Sequence, residues 1–295
     1  MPMEHVHDLR SKSLLAVIAL NLGITAIEFV GAAVSGSLAL FSDGLHNLSD
    51  VMAILISYAA LRWSKRPRSA RYTYGYKRAE ILAALSNAIT LVLICFYLIF
   101  TSIGRLFRPE PIAGSIMLTV AVAGLLANLA GAALLRKPSA NSLNMRSAYF
   151  HLYSDAAASL AVILGALGIL LFHITWLDAA LTLVISIYLF IQNWSIIAES
   201  LEVIMMASPK GIDVQRLMQS LTALPRVVDL HHIHVWRLND SETYLEAHVR
   251  VQDMALSETI DIQAQIKEEL ARHEIRNVTL QFESTDGLCS CPSGS

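Results

Sequence analysis

Two short stretches place ionisable side chains in oily sequence. FSDGLHNLSD, residues 41–50, lies between the uncharged runs 29–40 and 51–61, and HLYSD, residues 151–155, opens another apolar run. In a helix, residues three and four apart share a face. Asp43, His46, Asn47 and Asp50 therefore make one polar stripe, with His46 and Asp50 one turn apart. His151 and Asp155 repeat that spacing. An Asp at the centre of a membrane helix costs about 2.5–3.5 kcal/mol on insertion scales, and charges at that depth usually mark ion pathways. Two imidazoles and two carboxylates meeting from two helices would make a tetrahedral N2O2 site, which Zn²⁺ accepts well. Mg²⁺ would favour oxygen ligands alone, and Cu(I) would favour sulfur. The bland alternative is that the His–Asp pairs only hold two helices together. Such intramembrane bonds average about 0.6 kcal/mol, and Gln or Ser would serve at lower insertion cost.

These residues need long helices to carry them. The chain has 295 residues, 55% hydrophobic and 16% charged, with a mean hydropathy of +0.52. That is too apolar for an ordinary soluble domain. A membrane helix takes about 20 mostly apolar residues. Six stretches qualify: roughly 14–34, 38–61, 81–103, 112–135, 148–172 and 176–198. The first is too long for a signal-peptide core and lacks a small-residue cleavage site, so it is expected to be retained. Loop cations set orientation. Arg10 and Lys12, the loop with Arg62, Lys65, Arg66, Arg68, Arg71, Lys77 and Arg78, and then Arg136, Lys137 and Arg146 fall on one side; only Arg105 and Arg108 fall on the other. Both termini are expected in the cytoplasm, for a multi-pass protein of a bacterial inner membrane. No basic patch with interleaved aromatics is present, so nucleic acid is not an expected partner.

After about Met206 the pattern becomes that of a small soluble domain. Residues 212–224 read as a helix, 227–237 and 243–251 alternate like strands, and Asn239-Asp240 between them suits a turn. Residues 257–273 read as a second helix with Ser257 as N-cap, and 278–282 as a last strand. The predicted fold class is an all-α membrane bundle of six transmembrane helices plus a cytoplasmic α+β domain of ferredoxin-like type. The boundaries are a cytoplasmic tail 1–13, the membrane domain 14–206, the cytoplasmic domain 207–284 and a flexible tail 285–295. Cys95 reads as a small apolar core residue. Cys289 and Cys291, a C-S-C in the tail, offer soft-metal capture or are simply two thiols in a reducing compartment.

GSLALFSDGLHNLSD, YGYKRAEILAALSN, HLYSD and HHIHVW, in that order, resemble a cation diffusion facilitator of the zinc-exporting type, with H-x3-D on the second and fifth spans. The resemblance runs from about Ser11 to Glu283. It implies a homodimer with a metallochaperone-like cytoplasmic domain that exports zinc in exchange for protons. It assigns the transport site to His46, Asp50, His151 and Asp155. Many relatives carry a His-rich loop between the fourth and fifth spans, and RKPSANSLNMR has no His. Some bind a second metal between the second and third spans, and SKRPRSARYTYGY offers neither His nor Asp. In the cytoplasmic domain His231 and His248 match family ligands, Glu283 occupies a carboxylate position, and Gln281 stands where a further His is usual. A site on His231, His248 and Glu283 is expected; the alternative is ordinary strand residues, with His232 and His234 facing the other way or into solvent.

Other polar residues have two readings each. Glu28 in the first span lines the pathway, or else bonds internally to a partner such as Asn128. Asp43 orients His46 or draws cations in, against a solvated helix end. Asp178 is expected to serve the N-terminus of the sixth span, and His173 to lie at a membrane surface. Protons compete with metal at neutral His and ionised Asp. Zn²⁺ is thus expected as transported substrate and as a regulatory ligand of the cytoplasmic domain; the partners are zinc, protons, the bilayer and a second copy. No organic cofactor is expected. Two rivals remain: an intramembrane zinc enzyme with Glu28 as base, which lacks an open coordination position, and a membrane metal sensor without transport.

Overall fold

The computed structural model describes residues 3–64, 66–139, 143–239 and 241–285. Six long helices come first: α1 (Met3–Ser35), α2 (Leu38–Ser64), α3 (Ala79–Phe107), α4 (Gly114–Ser139), α5 (Leu143–Phe172) and α6 (Trp176–Ile204). All six are long and apolar enough to cross a membrane. A soluble protein would bury the large apolar side chains that these helices present outward, such as Phe100 and Phe107; lipid tails accept them without cost. The chain divides into two compact units, residues 1–58 with 86–196, and residues 59–85 with 197–295.

In the first unit small residues let helices approach. Ala32 of α1, Ala39 of α2, Ala121 of α4 and Ala166 of α5 are buried in one core with Leu40, Met117, Val162 and Ile169. The connection between α1 and α2 is only Gly36 and Ser37. Gly36 has φ +74°, a left-handed conformation that a Cβ would strain. Arg105 Nη1 donates to the Gly36 carbonyl at 2.6 Å.

Asp178 sits in the first turn of α6, as expected, but its carboxylate works on another helix. It accepts from the Ser37 hydroxyl, from Leu38 N at 2.9 Å and from Ala39 N at 3.2 Å. It therefore satisfies orphan donors at the start of α2, more than 130 residues away in sequence. Nothing local to Asp178 reveals that partner.

The second unit contains an α+β domain. Asp213 caps α7 (Val214–Thr222), accepting from Gln215 N and Arg216 N. Then follow β1 (Val227–Arg237), β2 (Thr243–Val251), a single 3-10 turn at Leu256–Glu258, α8 (Thr259–Arg272) and β3 (Asn277–Ser284). Strand order is β1-β2-β3, with β1 antiparallel and β3 parallel to β2. The parallel step needs a crossover, which α8 provides. Leu217 and Leu221 of α7 and Ile262, Ile266 and Leu270 of α8 cover one sheet face, against Leu230, Leu245, Ala247 and Val249. This αββαβ order is consistent with the ferredoxin-like class, βαββαβ, without its first strand. Ser257 does not cap α8: it lies in the 3-10 turn, and the residue before α8 is Glu258, without a side-chain cap. The Asn239 side chain makes the β1–β2 turn, accepting from Ser241 N and Glu242 N.

Candidate metal centre

The stripe on α2 and the pair on α5 meet. His151 Nε2 lies 3.0 Å from Asp50 Oδ2 and 3.7 Å from Asp155 Oδ2; His46 Nε2 lies 3.5 Å from Asp155 Oδ1 and 3.8 Å from Asp50 Oδ2. One donor atom from each of the four residues falls within 4.8 Å of the others. A tetrahedron with metal–ligand bonds of about 2.0–2.1 Å has donor–donor edges of about 3.3–3.4 Å. The four separations bracket that value. Asp155 is 2% exposed, and neither of its oxygens has a hydrogen-bond partner. A buried carboxylate is costly unless compensated, and the imidazoles of His46 and His151 are the groups that face this one. His46 and Asp50 are partly exposed, and so is His151. The arrangement brings two imidazoles and two carboxylates from two helices to one place, a donor set that suits a divalent ion.

The residues beside the quartet are deeper than the solvated reading of Asp43 requires. Asp43 is 2% exposed and Asn47 1%. Glu28 of α1 is also buried, and its partner is Asn47, whose Nδ2 donates to Glu28 Oε2 at 2.8 Å. The internal bond offered as one reading of Glu28 forms, but to Asn47 and not to Asn128, neither of whose polar atoms has a hydrogen-bond partner. The signal for the actual partner is present in sequence, since Asn47 lies on the stripe, but two helix faces must be docked to see it.

A second cluster lies on the cytoplasmic sheet. His231 on β1, His248 on β2 and Gln281 on β3 share one rung of the ladder, and Glu283 lies two residues on from Gln281, on the same face. Glu283 reaches both imidazoles: Oε1 is 2.7 Å from His248 Nδ1, and Oε2 is 3.2 Å from His231 Nε2. Donor atoms of the three residues fall within 4.8 Å of one another. Gln281 donates to Glu283 at 3.1 Å. Asp229 Oδ2 lies 3.2 Å from His231 Nδ1 and so can fix that ring's tautomer.

One expectation here needs correction. Strict alternation sends His232 away from His231. The ladder slips between His231 and His234, and His232 has φ +51°. This bulge turns the His232 ring to 4.9 Å from that of His248 and 4.7 Å from that of His234. His232 escapes a reading based on period two, whereas Asp229, two residues before His231, lies on the face that such a reading gives it. Cys289 and Cys291 lie outside the described residues.

Known proteins resemble the chain along most of its length. A family model for the cation efflux transmembrane domain matches residues 14–205, and one for the cation efflux protein cytoplasmic domain matches residues 209–285. The metal cation efflux system protein CzcD of Cupriavidus metallidurans is 34% identical over 96% of this chain and 90% of its own length. The zinc transporter ZitB of Escherichia coli is 33% identical over 94% and 88%. The cadmium, cobalt and zinc/H(+)-K(+) antiporter of Bacillus velezensis is 32% identical over 95% and 91%.

Proposed function

The chain belongs to the cation efflux family, a family of transporters and not of enzymes, and from that membership we propose that it exports zinc from the cytoplasm in exchange for protons. The observation that carries the reading is the quartet, whose donor spacing fits a tetrahedral ion and whose Asp155 oxygens have no other partner. His46, Asp50, His151 and Asp155 bind the ion. The imidazoles must be neutral and the carboxylates ionised, so loading releases protons and reprotonation ejects metal. Free His titrates near pH 6.5, so both steps occur around neutrality. Alternating access then requires two arrangements of similar energy, each open to one side. Glu28, Asp43 and Asn47 line the pathway.

The same reading places residues 14–206 in a bacterial inner membrane, with both termini in the cytoplasm, as the loop cations favour. Residues 207–284 form the cytoplasmic domain, and two copies of the chain make a dimer. Zinc on His231, His248 and Glu283 reports cytoplasmic excess and biases the transport equilibrium, a coupling between two sites. The decisive test is flux in sealed inverted vesicles. Zinc should accumulate when a proton gradient is imposed, without ATP. If zinc accumulation is unchanged when that gradient is collapsed, antiport is wrong. If no divalent cation moves at all, transport is wrong.

A further inference from the structure

Around the quartet lies a set of buried oxygens that binding four-coordinate zinc does not use. Glu28 Oε1, Asp43 Oδ2, Asn47 Oδ1, Ser159 Oγ and both polar atoms of Asn128 are buried and have no hydrogen-bond partner. They come from α1, α2, α4 and α5. Asn47 already holds Glu28 through its amide nitrogen, leaving its oxygen free. A Cβ added to Gly124 would meet Glu28 Oε1 at 3.1 Å and Ser159 Oγ at 3.5 Å, so the bare glycine keeps a gap between these two oxygens. Ser159 also neighbours Asp43, and Asn128 stands one turn from Gly124 along α4. Asp43 is one turn nearer the α1–α2 connection than His46.

Two carboxylates buried this deeply need compensation. The membrane-spanning parts of these four helices, residues 14–34, 38–61, 112–135 and 148–172, contain no Lys or Arg. Within these spans only His46 and His151 can carry positive charge, and both are neutral when the quartet holds metal. A set of carboxylate, amide and hydroxyl oxygens, without nitrogen or sulfur, matches a hard divalent cation with more than four ligands.

We propose that Glu28, Asp43, Asn47, Asn128 and Ser159 form a second intramembrane site, all oxygen, that takes a divalent cation beside the His–Asp quartet. The proposal rests on reading the quartet as the transport site, because it makes the oxygen site a staging position next to it. An ion there trades two imidazoles for oxygen ligands and is held less selectively. The gap at Gly124 and the unsatisfied amide oxygens are what such an ion would fill.

The probe is Mn²⁺, which suits carboxylate, carbonyl and water ligands, and whose spin-resonance signal reports binding without transport. The full-length protein is purified with His46, Asp50, His151 and Asp155 replaced by Ala, and with His231→Ala and His248→Ala. This parent should bind about one Mn²⁺ per chain. Adding Glu28→Gln with Asp43→Asn should weaken binding by at least the about tenfold that even outer partners of a metal site command. Ser159→Ala, a small change that the bundle tolerates, should weaken it to a lesser degree. A parent that binds no Mn²⁺ overturns the proposal, as does a double variant that binds like the parent. If the double variant does not elute as the parent does, Ser159→Ala decides, and equal binding there overturns the proposal. The quartet is absent from every protein measured, so a failed zinc-flux test and a failed Mn²⁺ test are separate results.

Discussion

The membrane quartet and the cytoplasmic triad both set carboxylates against imidazoles, and each leaves a buried carboxylate oxygen without a hydrogen bond. In the triad, Glu283 already touches His248 at 2.7 Å and His231 at 3.2 Å, and Gln281 donates to it as well. In the quartet, Asp155 has no hydrogen-bond partner on either oxygen. A cation entering the triad must displace contacts that the protein makes for itself. One entering the quartet does the same, since His151 lies 3.0 Å from Asp50 and His46 3.5 Å from Asp155. The difference lies in donor number: the quartet offers four donors, the triad three. Four donors from two helices suit an ion that is bound and passed on. Three ligands on one sheet suit an ion that is read.

The largest effect should come from breaking the quartet. Asp155→Ala should lower zinc flux in vesicles by more than about a hundredfold, beyond what loss of outer partners alone produces. Glu283→Ala, at matched protein density, should leave maximal flux within about twofold, since about 0.4 kcal/mol is all that a factor of two represents. If both variants lose flux equally, the distinction between the two sites collapses.

Next in size is the triad's own affinity. The fragment 208–285 contains its own buried core, and calorimetry should show that it binds zinc. His231→Ala with His248→Ala should remove most of that binding, and the full-length double variant should still transport but depend less steeply on cytoplasmic zinc. Equal binding by both fragments would remove the regulatory reading. The comparison can also be sharpened by closing the triad. Gln281→His puts a fourth donor on the rung that His231 and His248 share. It should tighten zinc binding by about tenfold, or about 1.4 kcal/mol.

The smallest effect concerns selectivity. His46→Asp exchanges a single-nitrogen ligand for a carboxylate that binds through one oxygen or two. Competitive flux should shift toward Cd²⁺ and Mn²⁺ relative to Zn²⁺ by a few fold, about 1 kcal/mol of discrimination, even as total flux falls. An unchanged ratio would mean that His46 does not set selectivity.

The residues of the quartet were legible because helical periodicity is local. His46 and Asp50 share a face whatever the rest of the chain does, and a charge in an apolar run announces itself. β1 and β2 were legible for the same reason, their alternation being a local pattern. What escaped depends on contacts between distant segments. Asn128 was one polar partner open to Glu28; only the packing of α1 on α2 selects Asn47. His232 was assigned to the wrong face because period two holds only in an unbroken ladder, and a bulge is invisible to it. Ser257 had the chemistry of a cap, but the chain makes a tight turn there first. Asp178 was assigned correctly to a helix start and incorrectly to which helix it serves.

The capping of α2 by Asp178 has a mechanical consequence. With three donors at residues 37–39 held by one carboxylate, and Gly36 tied to Arg105, that end of α2 is a pivot and the rest of the helix a lever. At 1.5 Å per residue, His46 lies about 12 Å from the pivot, Asp50 about 18 Å and Ser64 about 39 Å. A swing of about 10° would carry His46 by only about 2 Å, enough to spoil four-coordinate geometry, while sweeping the far end through about 7 Å. A small loss of grip on the ion and a wide opening of one mouth would then be the same motion, read at two radii.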